Sequence, residues 1–342
     1  MRAEEASPKA VGGSDGTGVL AIVGSGVVGT ATGAGFQAKG YRVVLCDTSL
    51  DRVALLRRQG FWSIDGASLA NLHPDAYFIS VPTPTVEGRV DLSFVEAAAQ
   101  AVGRAMIDHP GHPLVVVRST VPPGTTEDLV GPAVGFASGR EPGRGFGLCM
   151  NPEFLRAATA HDDFLHPRII VIGALDEGSE RALTEIYSPW ADVPLVSLSL
   201  RTAEAMKYVA NLFNATKISF FNEMHRILLV SGCDPDAAFA AATRGAEGLW
   251  NPSYGTRGGA AYGGICLPKD TRGFLGFARD LGMEELMPLL RATIRVNEEM
   301  EAFQSSDGRF RAMREGASSD ANGGRSQPND EELDRDDAVR GA

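Results

Sequence analysis

Apolar residues along this chain arrive in short β-branched runs separated by longer stretches with helical spacing, and that rhythm fixes most of the expected elements. A strand begins at Val19, a helix runs to about Lys39, and a second strand ends at Asp47. The alternation continues with strands at Tyr77–Val81, Leu114–Val117, Gly147–Met150 and Arg168–Ile172, and with helices within 91–108 and from Thr125. Such βαβ repetition predicts an α/β fold, a Rossmann-like, doubly wound parallel sheet. Residues 200–230 then carry a helical pattern with no Gly or Pro, and 231–300 read as further helices around a Gly-rich loop.

The expected organisation is a polar tail over 1–17, a sheet domain over 18–199, a smaller and mainly helical domain over 200–302, and a polar tail over 303–342. Both tails are rich in small and charged residues and hold too little apolar surface to offset their ordering entropy, so they are expected to be disordered.

The first βαβ unit carries specific chemistry. Gly24, Gly26 and Gly29 stand in G-x-G-x-x-G spacing between the strand and the helix. Glycines there permit a tight turn and close approach of the backbone to a pyrophosphate at the helix N-terminus. Asp47 closes the second strand 18 residues beyond Gly29, where a carboxylate accepts from a ribose and repels a 2'-phosphate. NAD is therefore expected in preference to NADP.

Composition narrows the classes. The chain has 342 residues, 44% of them hydrophobic and 22% charged, as ordinary globular proteins do. A net charge of -11 and the lack of a basic run argue against a nucleic acid or an anionic membrane as partner. Cys46, Cys149, Cys233 and Cys266 are widely spaced, which indicates neither a disulfide scaffold nor a zinc site and fits a reducing cytoplasm. The close pair His109 and His112 lies in DHPGHP, read as a surface loop and not a metal site. Only five of the 32 basic residues are lysines, so a lysine at a motif position carries more weight here than usual.

The stretch YGGICLPKDT (262–271) sets one thiol between glycines and a charged run. Gly263 and Gly264 allow close approach to a ligand, while Lys269 and Asp270 stand within one turn of Cys266. Ammonium groups and helix N-termini lower a cysteine pKa and raise its nucleophilicity, although a lone cysteine is more often a small buried hydrophobe. Three loops leave the strand ends: SVPTPT (80–85), RSTVPPGTT (118–126) and NPEFLR (151–156). Each by itself reads as a Pro-rich turn. On the long helix Lys207, Asn211 and Asn222 lie near one face, flanked by apolar residues, which predicts a buried helix with a polar stripe facing a site.

Taken in order, the fingerprint, the loops, Lys-x3-Asn and Cys-x2-Lys-Asp resemble the UDP-glucose/GDP-mannose dehydrogenase family over about 19–300. The resemblance implies NAD-dependent oxidation of a nucleotide-sugar CH2OH to a carboxylate through a Cys266 thioester, with Lys207 and Asn211 stabilising oxyanions. Asp270, Glu153 and Thr120 would handle protons and order water. It adds Val27, Val28, Pro82, Thr83, Thr120, Glu153 and Lys269 to the cofactor contacts, and assigns the substrate Phe154, Leu155, Arg156, Lys207, Asn211, Tyr262, Gly263 and Arg257. Arg257 would replace an arginine of an Arg-Ile-Gly segment that is not readable here.

A homodimer through the helical domain is also implied. The sequence departs from the pattern at Ala157, where the family usually has a second glutamate, in the short FWSIDGASL segment (61–69), and beyond 300, where the family has a domain covering the nucleotide. Two alternatives therefore stand: a two-electron dehydrogenase acting on a smaller hydroxylated substrate, and a non-catalytic NAD-binding relative.

Overall fold

Strand-forming runs in this chain are apolar on both faces, as a sheet covered by helices on either side requires. In the computed structural model, which describes residues 18–256 and 258–305, strand β1 (Val19–Val23) is followed by α1 (Val27–Ala38), β2 (Arg42–Asp47), α2 (Leu50–Arg58) and β3 (Ser63–Asp65). Strand β4 (Ala76–Ile79) leads into a small hairpin of β5 (Thr85–Val86) and β6 (Arg89–Val90), then α3 (Ser93–Ala105), β7 (Leu114–Val117) and α4 (Gly131–Ser138). The sheet domain continues with β8 (Gly147–Met150), α5 (Ala160–Leu165), β9 (Ile170–Ala174), α6 (Glu177–Ile186) and β10 (Leu195–Ser199).

The main sheet has eight strands in the order β10-β9-β8-β7-β4-β1-β2-β3. From β1 the chain goes to β2 on one side and later to β4 on the other, all three parallel, so the strand order switches at β1 and a crevice opens beyond their carboxyl ends. Alternation builds a core on each face: Ala21, Val23, Tyr77, Ile79, Val115 and Val117 meet α3 and α4, while Leu20, Ile22, Phe78 and Val116 meet α1, α2 and α6. Phe36 of α1 centres the second core, with the Phe78 and Phe164 rings each 5.1 Å away.

Two features differ from the expected all-parallel sheet. Strand β9 pairs antiparallel with β8, and β10 follows β9 in parallel, so both run against the rest. The reversal has a geometric reason: residues 151–169 turn back at the end where β8 stops, which keeps the NPEFLR loop beside the crevice. The short strands β3 and β10 were not expected, and a 3-10 turn over Gly66–Asn71, capped by Asp65, stands between β3 and β4 where a helix is usual.

The chain divides into two compact units, through Phe213 and from Asn214. The long helix α7 (Leu200–Val230) therefore begins in the first unit and ends in the second. The second unit adds α8 (Pro235–Gly245), α9 (Glu247–Trp250), α10 (Cys266–Asp280) and α11 (Pro288–Ser305), with Ile227, Ala278, Met283 and Met287 as its core. Glu223 of α7 caps α11, accepting from Leu289 N at 2.7 Å and Leu290 N at 2.9 Å. Helix α11 ends at Ser305. The tail readings for 1–17 and 306–342, and Arg257, lie outside the described residues. Among the described residues no helix is long and apolar enough to cross a membrane, and no group of three metal-binding side chains occurs.

DHPGHP is a loop with Asp108, Pro110, Gly111 and His112 exposed, as expected, but the His109 side chain is buried. It is 8% exposed, its Nδ1 accepts from Gly111 N at 3.0 Å, and its Nε2 lies 3.1 Å from Pro74 O. That pairing fits only the neutral tautomer with the proton on Nε2. Burial pushes its pKa below 6.5, with smaller contributions from His73 and Arg140 beside it. An unfolded chain takes up the proton near pH 6.5 while the folded one resists, so this stability is full above that pH and is lost as pH falls below it. The thermal midpoint should fall between pH 6.5 and 5, by on the order of 1 kcal/mol of stability per pKa unit of difference. His109→Asn should lower the midpoint but flatten that slope; an unchanged slope would exclude His109 as its source.

Candidate active site

The crevice between β1 and β4 opens into a cavity of about 670 Å³. Its floor is the fingerprint turn, and the space left by the glycines is used. A Cβ on Gly24, whose φ is +94°, would sit 2.6 Å from Ser80 O, and one on Gly29 would sit 1.9 Å from Gly24 O. Gly26 precedes helix α1 and offers no side-chain cap, leaving the helix's first N–H groups open to an anion. These features fit the pyrophosphate of a dinucleotide. Val27 and Val28, with Pro82, Thr83, Thr120 and Glu153, line the same cavity, and Thr83 Oγ1 donates to Thr120 O at 2.9 Å.

Asp47 stands on the cavity wall at the end of β2. Its Oδ2 accepts from Ser25 N at 3.0 Å and Ser25 Oγ at 2.6 Å, and its Oδ1 accepts from Ser49 N at 2.9 Å. Burial works to raise its pKa, but those hydrogen bonds and the nearby Arg52 outweigh it and hold the carboxyl below its usual range. The group therefore stays an anion.

The first turns of α7 are keyed into the loops at the sheet's carboxyl edge. Arg201 meets Glu127 at 2.9 Å and Asp128 at 2.8 Å. Glu204, fully buried, accepts from Gly124 N at 2.5 Å, Thr126 N at 2.7 Å and Thr126 Oγ1 at 2.6 Å. Lys207 pairs with Glu153 Oε1 at 3.0 Å and also donates to Glu153 O, with the lysine and glutamate side chains 6% and 12% exposed. Spacings of three place these side chains on one helix face. Burial raises the Glu204 pKa, while hydrogen bonds from Thr126 and Gly124 oppose the shift.

The structure thus brings Lys207, Glu153 and Thr120 to the first unit's site. The expected burial of the whole polar stripe does not occur: Asn211 is exposed, as are Val209, Leu212 and Phe213. Phe154, Leu155 and Arg156 line a second cavity of about 610 Å³, which shares Arg118 and Glu153 with the first. Arg156 is engaged within its own loop, at 2.6 Å from Asp163 Oδ1, and holds the Asp163 carboxyl well below its usual range. Phe154 has Lys207 Nζ 5.4 Å from its ring centroid.

In the second unit Cys266 is exposed at the first position of α10, the end where peptide dipoles favour negative charge. Lys269 pairs with Asp270, and both are exposed; that hydrogen bond raises the lysine pKa. Gly263 is exposed, and the adjoining Gly264 has φ +76°. Tyr262 is tied to α11, its N donating to Asn297 Oδ1 at 2.7 Å and its O accepting from Asn297 Nδ2 at 3.1 Å. Sequence reasoning missed Ser25, Arg118, Arg201 and Glu204. For Glu204 a signal existed, since it precedes Lys207 by one helical turn on the same face.

A doubly wound sheet with an uncapped, glycine-lined helix start and a carboxylate at the end of β2 is the arrangement of an NAD-binding domain. The chain belongs to the UDP-glucose/GDP-mannose dehydrogenase family: residues 65–191 match its NAD binding domain and 201–299 its central domain. The first match begins after the fingerprint. Among relatives, it is 37% identical over 303 residues to UDP-glucose 6-dehydrogenase AglM of Haloferax volcanii, covering 82% of this chain and 69% of that protein. It is 33% identical over 300 residues to GDP-mannose 6-dehydrogenase of Pseudomonas aeruginosa, covering 81% and 68%. A ternary-complex crystal structure of GDP-mannose dehydrogenase from that organism superposes with a TM-score of 0.77 at 31% identity, covering 85% of this chain and 72% of that one. A UDP-glucose dehydrogenase from Pyrobaculum islandicum gives 0.62 at 38% identity, covering 83% and 68%.

NAD should bind at least about 10-fold more tightly than NADP, because a 2'-phosphate would meet the Asp47 carboxylate. Asp47→Ala should narrow the ratio. Calorimetric titration checks both, and equal affinities in the unaltered protein would contradict this role for Asp47.

Proposed function

We propose that this chain oxidises the C6 alcohol of a nucleotide sugar to a carboxylate in two NAD-dependent steps. The observation that carries the reading is the Lys207 ammonium, held buried against Glu153 at the margin of the cofactor cavity. An ammonium in that setting is a preorganised donor for an alkoxide or a tetrahedral oxyanion. Bound NAD supplies the hydride acceptor for each oxidation.

The remaining work falls to the chain's own residues. Lys207 and Asn211 donate to the C6 oxygen as negative charge develops on it. Glu153 and Thr120 order the substrate oxygen and the hydrolytic water, and Asp270 takes up and returns protons. The Cys266 thiolate adds to the aldehyde as a thiohemiacetal, which becomes a thioester after the second oxidation and is then hydrolysed. Lys269, near the thiol in sequence, supports the thiolate. Phe154, Leu155 and Arg156 shape the substrate side of the 151–156 loop, and Tyr262 and Gly263 are further substrate contacts. The bare apolar residues of α7, among them Val209, Leu212, Phe213 and Ile218, favour a homodimer through that helix.

One observation favours a second reading. The position of the family's second glutamate is the exposed Ala157, so a proton-handling group is absent and oxidation by two electrons only is the competitor. Incubation with NAD and either UDP-glucose or GDP-mannose, followed by mass spectrometry, should give the uronate with two NADH per sugar. Cys266→Ser should bind NAD normally and yield no acid. One NADH per sugar and no acid from the unaltered protein would overturn the four-electron reading.

A further inference from the structure

Arg118 follows β7 at the carboxyl end of the sheet, is 4% exposed, and lines both cavities of the first unit. Its Nε donates to Thr32 Oγ1 on α1 at 2.8 Å. Its Nη1 donates to the side-chain and main-chain oxygens of Asn151 and to the Tyr187 hydroxyl, the last at 3.2 Å. The guanidinium carbon lies 5.2 Å from the Phe164 ring centroid. Every one of these acceptors is neutral, and among the described residues no carboxylate pairs with Arg118.

A buried cation without a counterion is expensive to desolvate, and an apolar side chain of similar volume would avoid that penalty. What only arginine supplies is a rigid planar fork that reaches several acceptors at once. Here the fork joins α1, whose N-terminus floors the cofactor cavity, to Asn151, which opens the loop carrying Glu153. Asn151 is itself locked, its N donating to Val117 O and its Nδ2 to Val171 O, each at 2.8 Å, while Tyr187 OH donates to its Oδ1 at 2.6 Å. Two residues further on, Glu153 meets Lys207.

We propose that Arg118 is a positioning residue: it fixes Asn151 against α1 and thereby holds the 151–156 loop in the geometry that keeps Glu153 on Lys207. It acts through the loop and not by touching the reacting atoms. The inference deepens the proposed reaction, and only its turnover arm rests on that reading.

The test compares Arg118→Lys and Arg118→Gln with the unaltered protein by NAD calorimetry, amide hydrogen exchange of 151–156, and NADH production from the nucleotide sugar that the unaltered protein oxidises. Both variants should bind NAD within about 3-fold, exchange 151–156 about 10-fold faster, and lose about 10²-fold in kcat with little change in KM for NAD. Lysine should not rescue, because one ammonium cannot span Thr32, Asn151 and Tyr187. Rescue by lysine, or unchanged exchange in the glutamine variant, would overturn the proposal. Should Arg118→Gln fail to fold, Thr32→Val and Tyr187→Phe each remove one acceptor and should raise exchange in the same segment; no rise in either would equally overturn it. Altered exchange in a protein that oxidises no nucleotide sugar would count against the reaction and leave the positioning role standing.

Discussion

The buried ion pair between Lys207 and Glu153 is the contact on which the first unit's site depends. Neither charge can be buried alone, so each holds the other, and with them the start of α7 is held to the loop after β8. Glu204 and Arg201, on the same helix face, repeat the arrangement with the loop after β7. A helix that would otherwise only follow the sheet domain becomes the clamp on two of its loops.

That clamp matters because of where the sheet puts those loops. Strand order turns around β1, and the crevice there is floored by backbone too close to admit a Cβ at Gly24 or Gly29. Reversal of β9 returns residues 151–169 to the same edge. Asn151, at the start of that return, is bonded to β7, β9, Tyr187 and Arg118 together, so the root of the loop that carries Glu153 is fixed to the sheet.

Local chemistry made much of this legible. The glycine spacing and Asp47 depend on neighbours within one βαβ unit, and apolar runs at β1, β4, β7 and β8 identify buried strands wherever they pair. What sequence left out is tertiary. Strand β3 is three residues long and β10 lies at the sheet edge with exposed residues, so neither carries the apolar run of a central strand. The direction of β9 follows from a return path and not from its composition. The burial of His109 was not legible because its partners, Pro74 O and Gly111 N, are main-chain atoms that no residue pattern encodes. The α7 stripe was read as one surface, yet its polar residues divide: Lys207 is buried by Glu153, whereas Asn211 stays exposed. Glu204 and Arg118 show their roles only through partners distant in the chain: Thr126 and Gly124, 78 and 80 residues away, for the first, and Asn151, Tyr187 and Thr32, 33, 69 and 86 residues away, for the second.

The central claim, that Glu153 and Lys207 act as one unit, is tested most directly by a double-mutant cycle on turnover. Glu153→Gln and Lys207→Met should each lower kcat by on the order of 10²-fold or more, and the double variant should be little worse than the poorer single one, as expected for groups that work together. Losses that multiply in the double variant would mean that the two residues act independently, and would contradict the account.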